Sequence, residues 1–401
     1  NLPLDKTSSV KAFADIAHNI GDGRSAEDVA EGFLAIAIEH MAQAIKKISI
    51  ARGYDVSNYV LNCFGGAGGQ HACLVAEKLG IKTVFLHSYS GILSAYGMGL
   101  ADIKVERQKV ACPLIQSGDI SAIQVAIEQL KQTNTEDLTS QGLNNKQINH
   151  QSSALLKYLN TDTSLNIPLD SFAAMQKNFT QQHEQQFGFS ADKPIMIDTL
   201  IVESYGGAEK VVEAKHPLAK DLSIKAHSVR QIYSQGQWLD AQVIHLSSLT
   251  FGHEVSGPTI IVEPTGTIII EKNWRAKVNV NGHLELHFEP INTALISGQT
   301  IEESALNKAD PVTLELFNSA FMSIAQQMGI VLRNTSQSVN VKERLDFSCA
   351  IFDATGNLIA NAPHVPVHLG SMDASVKVII NGQQSINPGD VFVQNNPYNG
   401  G

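Results

Sequence analysis

Two short stretches hold residue types that could do chemistry. The first, Asn62 to Ile81, reads NCFGGAGGQHACLVAEKLGI, with Gly65, Gly66, Gly68 and Gly69 around Ala67 and a polar Gln70–His71 pair behind them. Glycines after a strand let the backbone come close to a ligand. The helix that follows offers unpaired N–H groups and the positive end of its dipole, a combination suited to an anion. Glycines serve a tight turn equally well, so spacing alone leaves a ligand loop and a structural turn evenly matched. No Lys completes a G-x-x-x-x-G-K-[ST] pattern, and the spacing is not G-x-G-x-x-G, which disfavours a Walker-type loop and a Rossmann site.

The second stretch holds Glu343, Arg344 and Asp346, followed by His364 and His368. An Arg fork could grip a substrate carboxylate while the acids orient water. The plainer alternative, an ion-pair network that only holds the chain together, is favoured about two to one because such pairs are common. His364 and His368 have the i, i+4 spacing of metal ligands on a helix. Pro363 and Pro366 interrupt that helix, so the segment reads as extended chain, and no metal ligand is assigned. Acid–base work or a substrate contact suits His368 better. Glu343, Arg344, Asp346 and His368 are therefore the candidate catalytic residues.

The elements that must position these groups follow from pattern. Ser25 to Ile50 reads as an amphipathic helix, with Ser25 as cap and Asp28 as its return partner. YVLNCF is a strand running into the glycines, His71 to Leu79 is a helix closed by Gly80, KTVFLHS is a strand, and GILSAYGMGLADI is a small-residue helix. Strand, glycine turn, helix and strand form an α/β arrangement. Two helices, SAIQVAIEQLKQ and FAAMQKNFTQQHEQQF, then give way to β-type segments: PIMIDTLIVESY, AQVIHL, PTIIVE, TIIIE, AKVNVN and HLELHF. These suggest a β-rich lobe. SGQTIEESALNKAD is a polar linker. Asp310–Pro311 opens a further helix, whose expected buried face is Phe317, Ala320, Phe321, Ile324, Met328 and Leu332. A hairpin is expected around Thr355–Gly356–Asn357.

Bulk properties bound the function. At 401 residues, two or three domains are expected. Hydrophobic residues at 43% and charged residues at 17% describe a globular protein with a real core. A net charge of −10, with no Lys/Arg cluster, argues against a nucleic-acid partner. Cys63, Cys73, Cys112 and Cys349 show no CxxC spacing and read as reduced thiols of a cytoplasmic protein. No apolar run approaches the roughly 18 residues of a membrane span. The opening NLPLDKTSSV is not a signal peptide. Lacking an initiator Met and closing on NPYNGG, the sequence reads as a piece of something longer.

CFGGAGGQHAC followed by HSYSGILSAYGMGLAD resembles the second half of the actin-like ATPase domain of the hydantoinase/oxoprolinase family. That resemblance implies an α/β multidomain chain. Residues 1–108 would be the second lobe of the actin-like fold, and 109–303 a mixed and then β-rich part. Residues 304–401 would be the truncated start of an α+β hydrolase-like part. It places Gly65, Gly66, Ala67, Gly68, Gly69, Gln70 and His71 at a nucleotide and implies ATP and Mg2+ as cofactors. LKYLNTD (Leu156 to Asp162) is similar to the family's LRYxGTD segment, with Lys157 and Asn160 replacing its Arg and Gly. VKERLDFSCAIFDATGNLIANAPHVPVHLGSM resembles the start of the second, hydrolase-like subunit. Asn396 stands where relatives often carry Asp or His.

Two subunits fused in this order resemble the ATP-dependent 5-oxoprolinases. The implied reaction opens 5-oxo-L-proline, or a related lactam, to an amino acid by carbonyl phosphorylation and then hydrolysis. The parent would be a homo-oligomer without membrane or nucleic-acid partners, and this chain alone would turn over little. The rivals are an N-methylhydantoinase or an acetone-type carboxylase of the same family, and a non-catalytic nucleotide-binding or scaffolding module.

Overall fold

Asp5 starts the first helix, its carboxylate accepting the N–H of Ser8 at 3.0 Å. That helix, α1 (Lys6–Ile20), stops where Gly21 takes φ +70°, a left-handed conformation that costs glycine little. α2 (Ala26–Ala51) follows with the expected reciprocal cap. Asp28 N–H donates to Ser25 Oγ at 3.1 Å, and Ser25 N–H donates to the Asp28 carboxylate at 2.9 Å. In this computed structural model the described residues are 5–110, 121–289 and 311–398, apart from 53, 162, 188, 209, 210, 337, 343, 363, 364, 366, 367, 384 and 397. The expected linker, with the Asp310 cap that closes it, therefore lies entirely outside the described residues.

The order continues with β1 (Leu61–Asn62), α3 (Ala72–Leu79), β2 (Thr83–Leu86), α4 (Leu93–Gly99) and β3 (Ile103–Val110). Next come α5 (Ser121–Ser140), β4 (Asn149–Tyr158), β5 (Leu165–Pro168), α6 (Phe172–Phe187) and β6 (Ile195–Gly206). A run of strands follows: β7 (Ser228–Ser234), β8 (Gln237–His245), β9 (Glu254–Ser256), β10 (Thr259–Glu263), β11 (Gly266–Ile270), β12 (Trp274–Val278) and β13 (Leu284–Phe288). Last are α7 (Pro311–Thr335), α8 (Val339–Lys342), β14 (Ala350–Phe352), β15 (Leu358–Asn361) and α9 (Leu369–Gly382). The strand expected over YVLNCF is only two residues long. The expected helix over GILSAYGMGLADI ends at Gly99, and its last residue, Ile103, already belongs to β3.

The chain folds into two units. One is Asn1–Leu93 with Ala214–Gly401, the other Ser94–Glu213. In the larger unit β1 and β2 pair in parallel, and β13, β12 and β9 extend that sheet in antiparallel. A second sheet runs β11-β10-β8-β7. Leu79, Val84, Ile261, Ile268, Trp274 and Leu286 belong to one core that joins α3 to both sheets. The β-type segments thus form no lobe of their own. β13 lies directly against the strand that follows α3, with Leu284 opposite Leu86, and β6 belongs to the other unit.

α7 lies along α2, where Gln43 Nε2 donates to Ser319 Oγ at 3.0 Å. Its Ala325 packs with Phe347, Cys349 and Ala362. The buried face expected for this helix is corrected by the structure. Phe317, Ile324, Met328 and Leu332 are exposed, while Ala320 and Phe321 are half-buried. Helical spacing identified an apolar stripe correctly, but α2 packs against the neighbouring Ser- and Gln-bearing face. The expected hairpin is present as β14–β15. Asp353 takes the N–H groups of Thr355 and Asn357 at 2.9 and 2.8 Å, and these bonds hold its carboxyl well below the usual range.

The smaller unit is an antiparallel sheet, β3-β6-β4-β5. Met175 and Phe179 of α6 and Ile127 of α5 share its core with Leu156, Ile167 and Ile197. Asn134 is completely buried on α5. Its Nδ2 donates to Val202 O and Ser204 Oγ, both at 3.0 Å, and its Oδ1 accepts from Arg107 at 2.9 Å. Removing one partner of a buried polar network leaves the others unsatisfied. Asn134→Ala should lower stability by about 1–3 kcal/mol, read as a lower urea midpoint for unfolding of this unit.

Candidate functional site

β1 delivers the chain into the glycine turn, where Cys63 N–H donates to Phe85 O at 2.9 Å and Gly65 N–H to Ser90 O at 2.8 Å. Gly65 has φ +95°, which favours glycine. The next glycines are needed for close approach to the β10–β11 hairpin. A Cβ on Gly66 would lie 2.7 Å from Thr265 O; one on Gly69 would lie 2.8 Å from Ile268 Cγ1 and 2.9 Å from Thr267 O. Thr267 N–H donates to Gly66 O at 3.3 Å. One side of the turn is therefore pressed against the hairpin. On the other, Phe64, Gly65, Ala67 and Gln70 are exposed, and no described hydrogen bond takes the N–H of Gly66 or Ala67.

Gln70 and His71 lead from this turn into α3 and line a cavity of about 900 Å³ bounded by α2, α3, β11 and the β7–β8 hairpin. Four carboxylates, Asp28, Glu31, Glu77 and Glu271, face it, against the cations Arg24 and Lys78. Each of the four acids has a hydrogen-bond donor. Asp28 accepts from Tyr233 Oη, and Glu31 accepts the N–H groups of Gln235 and Gly236. Glu77 accepts from Trp274 Nε1 at 2.7 Å, and Glu271 from Ser234 Oγ at 3.1 Å. The Tyr233 hydroxyl, followed by bonds from Ser25, holds the Asp28 carboxyl below its usual value. Burial pushes Glu271 up, and Glu77 and Glu31 add to the shift. Nδ1 of His71 is buried and has no hydrogen-bond partner among the described residues.

Sequence reasoning found Gln70 and His71 but not this wall of acids. Part of the signal was present in the spacing: Asp28 and Glu31 fall at i and i+3, on one face of α2. Tyr233, Glu77 and Glu271 come from separated elements that only the fold brings together.

In the second candidate cluster, Arg344 and Asp346 are exposed, and Glu343 lies outside the described residues, as does His364. His368 sits at the start of α9, its Nδ1 2.9 Å from Ser348 Oγ. Ser348 had not been singled out. No described ion pair joins Arg344 to Asp346. In the smaller unit, Lys157 pairs with Asp198 at 2.7 Å. Asn160 takes φ +64°, a left-handed conformation that Asn tolerates better than most residues. Asp162 lies outside the described residues.

Cys112 lies outside the described residues, and the described thiols Cys63, Cys73 and Cys349 are buried. Burial raises the Cys63 thiol to about 11 and pushes Cys73 higher still. No described helix is long and apolar enough to cross a membrane.

Three family models match in succession: Hydantoinase/oxoprolinase over residues 1–107, Hydantoinase/oxoprolinase C-terminal domain over 116–289, and Hydantoinase B/oxoprolinase over 310–401. The chain belongs to the hydantoinase/oxoprolinase family. It is 38% identical to a 5-oxoprolinase of Saccharomyces cerevisiae over 100% of this chain and 32% of that protein. With 5-oxoprolinase 1 of Arabidopsis thaliana it shares 36% identity over 100% of this chain and 32% of that protein. It thus spans about a third of the length of these relatives. Among solved structures, the ATP-dependent caprolactamase of Pseudomonas jessenii matches with TM-score 0.63 and 24% identity, over 71% of this chain and 43% of that one. A nucleotide-free acetone carboxylase matches with TM-score 0.54 and 21% identity, over 72% of this chain and 43% of that one. Both share the fold.

Two outcomes follow from this geometry. Gly69→Val should destabilise the larger unit strongly, because backbone on the hairpin blocks the new side chain; thermal unfolding would read the loss. Glu271 binds its proton more tightly when folded, so above the ordinary value of 4.5 its ionisation opposes folding. Glu271→Gln should therefore raise the urea midpoint at neutral pH, and the gain should shrink as pH falls toward 4.5 and be absent below it.

Proposed function

We propose that this chain is part of an ATP-dependent 5-oxoprolinase, which opens the lactam of 5-oxo-L-proline to L-glutamate. The observation that carries this reading is the reach of the similarity. Relatives named 5-oxoprolinase match along the whole chain, through the Hydantoinase B part, whereas the caprolactamase α subunit matches only 71% of it. A single chain carrying both parts suits an enzyme that activates and hydrolyses one substrate.

A lactam carbonyl is a poor electrophile because amide resonance feeds electron density into it. Bound ATP would supply a phosphoryl group to the carbonyl oxygen, making it a leaving group. The residues present fit a nucleotide. The N–H groups of Gly66 and Ala67, which have no described hydrogen-bond partner, suit anionic oxygens. The cavity beyond Gln70 and His71 carries four carboxylates against two cations, which repels phosphate but accepts hydroxyl donors of a ribose. His71 Nδ1 offers a buried, unpartnered polar atom to the base. Gly65, Gly68 and Gly69 shape the turn. Mg2+ is expected with the phosphates, and no residue of this chain is assigned to it.

The hydrolytic half would draw on Arg344, Asp346 and His368, and on Glu343, the residue before Arg344 in sequence. Arg344, exposed and charged, suits the substrate carboxylate. Asp346 suits the orientation of water, and His368 a contact at the reacting carbonyl.

The full-length protein should release glutamate from 5-oxoproline only with ATP, and this chain alone should turn over negligibly. A carbamoyl or carboxylated product would instead move the assignment to a hydantoinase or carboxylase. For the nucleotide site, Ala67→Glu is the suitable probe, since Ala67 is exposed, whereas a Cβ at Gly68 would already lie 3.2 Å from Cys63 Sγ. It should weaken MgATP binding by about tenfold, or about 1.4 kcal/mol, in titration calorimetry with the fold unchanged. Equal affinity in both proteins would favour a scaffold whose glycines only turn the chain.

A further inference from the structure

Ser348 and His368 are brought together by the fold across twenty positions of sequence, Oγ to Nδ1 at 2.9 Å, and both are half-buried. Ser348 lies two residues before β14, between buried Phe347 and Cys349. His368 stands at the first turn of α9, and no side-chain cap bond engages it there. The contact can be made in two ways, with opposite consequences for Nε2. If Nδ1–H donates, Nε2 becomes a lone pair, and the hydroxyl proton of Ser348 needs a second acceptor. If the hydroxyl donates, Nδ1 is the acceptor and Nε2 carries the ring proton.

Among the described residues, Ser348 Oγ has no other hydrogen-bond partner, and neither does either ring nitrogen of His368. A half-buried hydroxyl proton is best placed on the acceptor it faces. We propose that the Ser348 hydroxyl donates to Nδ1 of His368 and fixes the ring as its Nε2–H tautomer, so that His368 presents a hydrogen-bond donor and not a base. Ser348 is then a positioning residue. It acts by choosing which atom of the histidine meets the substrate, as the bond made by one ring nitrogen sets the state of the other.

This rests on the reading that the second site hydrolyses an activated lactam. Water adds to the phosphorylated carbon as the C=N electrons pass to nitrogen. When the added water gives up its proton, negative charge grows on its oxygen, which becomes the new carbonyl as the C–N bond breaks and the amine leaves. An N–H aimed at that oxygen is stronger in the transition state than in the ground state. Loss of such a donor typically costs about 10²–10³ in kcat. The proton taken from water then goes to another group, and exposed Asp346, two residues before Ser348, is the candidate.

Long-range proton–nitrogen spectra of the chain labelled with 15N-histidine, at alkaline pH, test this without turnover. The His368 signals are assigned by their absence in His368→Gln. In the wild type Nε2 should bear the proton and Nδ1 should not. Ser348→Ala should lose this single tautomer and give an exchanging mixture, and Ser348→Thr should restore it. A proton on Nδ1 in the wild type, or a Ser348→Ala spectrum identical to the wild type, overturns the inference. Absence of lactam opening by the full-length protein would instead unseat the proposed reaction and leave the measured tautomer standing.

Discussion

The structure depends on a backbone-to-backbone approach. The turn after β1 touches the β10–β11 hairpin so closely that Gly66 and Gly69 could carry no side chain. Behind the turn, Cys73 on α3 adds a bond from Sγ to Ile269 O at 3.4 Å. These contacts tie the β1–α3–β2 segment to strands nearly two hundred residues later and place α3 in the core shared by both sheets. Part of the glycine pattern is therefore explained by packing. What packing leaves unexplained is the outward face, where Ala67 is exposed and the N–H groups of Gly66 and Ala67 have no described partner.

The same contact decides what lies next to the turn. With α3 held against β11, Gln70, His71 and Glu77 look across a cavity at Asp28 and Glu31 of α2, and the β7–β8 hairpin closes one side through Tyr233 and Ser234. The acids there are kept in place by donors. Trp274, otherwise buried in the core, reaches out through its indole N–H to Glu77. A buried Glu271 with a raised proton affinity costs stability at neutral pH, the kind of local expense that recurs at ligand sites. On the proposed function, a nucleotide's phosphates would meet the turn, and its ribose and base would meet the cavity, where four carboxylates face two cations.

Local elements were legible where short-range rules act. The Ser25–Asp28 cap and the hairpin at Asp353 follow from side chains bonding backbone within a few residues, and the Gly80 end of α3 follows from a left-handed glycine whose N–H bonds Ala76 O and Glu77 O. Long-range pairing was not legible. Nothing in HLELHF indicates that β13 lies beside β2, and period-two alternation cannot say which sheet a strand joins. α7 shows the converse, since its apolar stripe was readable but α2 packs against a more polar face. In the candidate site, the glycines and the Gln70–His71 pair stood out by composition. Glu271, Tyr233 and Ser348 did not, because each acquires meaning only from a partner far away in sequence.

The central claim is that the glycine turn has one structural face and one nucleotide-facing face. Backbone amide shifts of the turn, recorded while MgATP is added, test it most directly. The account predicts that the N–H signals of Gly66, Ala67, Gln70 and His71 move in a saturable way, while those of Thr267 and Ile268 behind the turn hold still. Signals that stay fixed at Gly66 and Ala67, or movement confined to residues away from this turn, would contradict it.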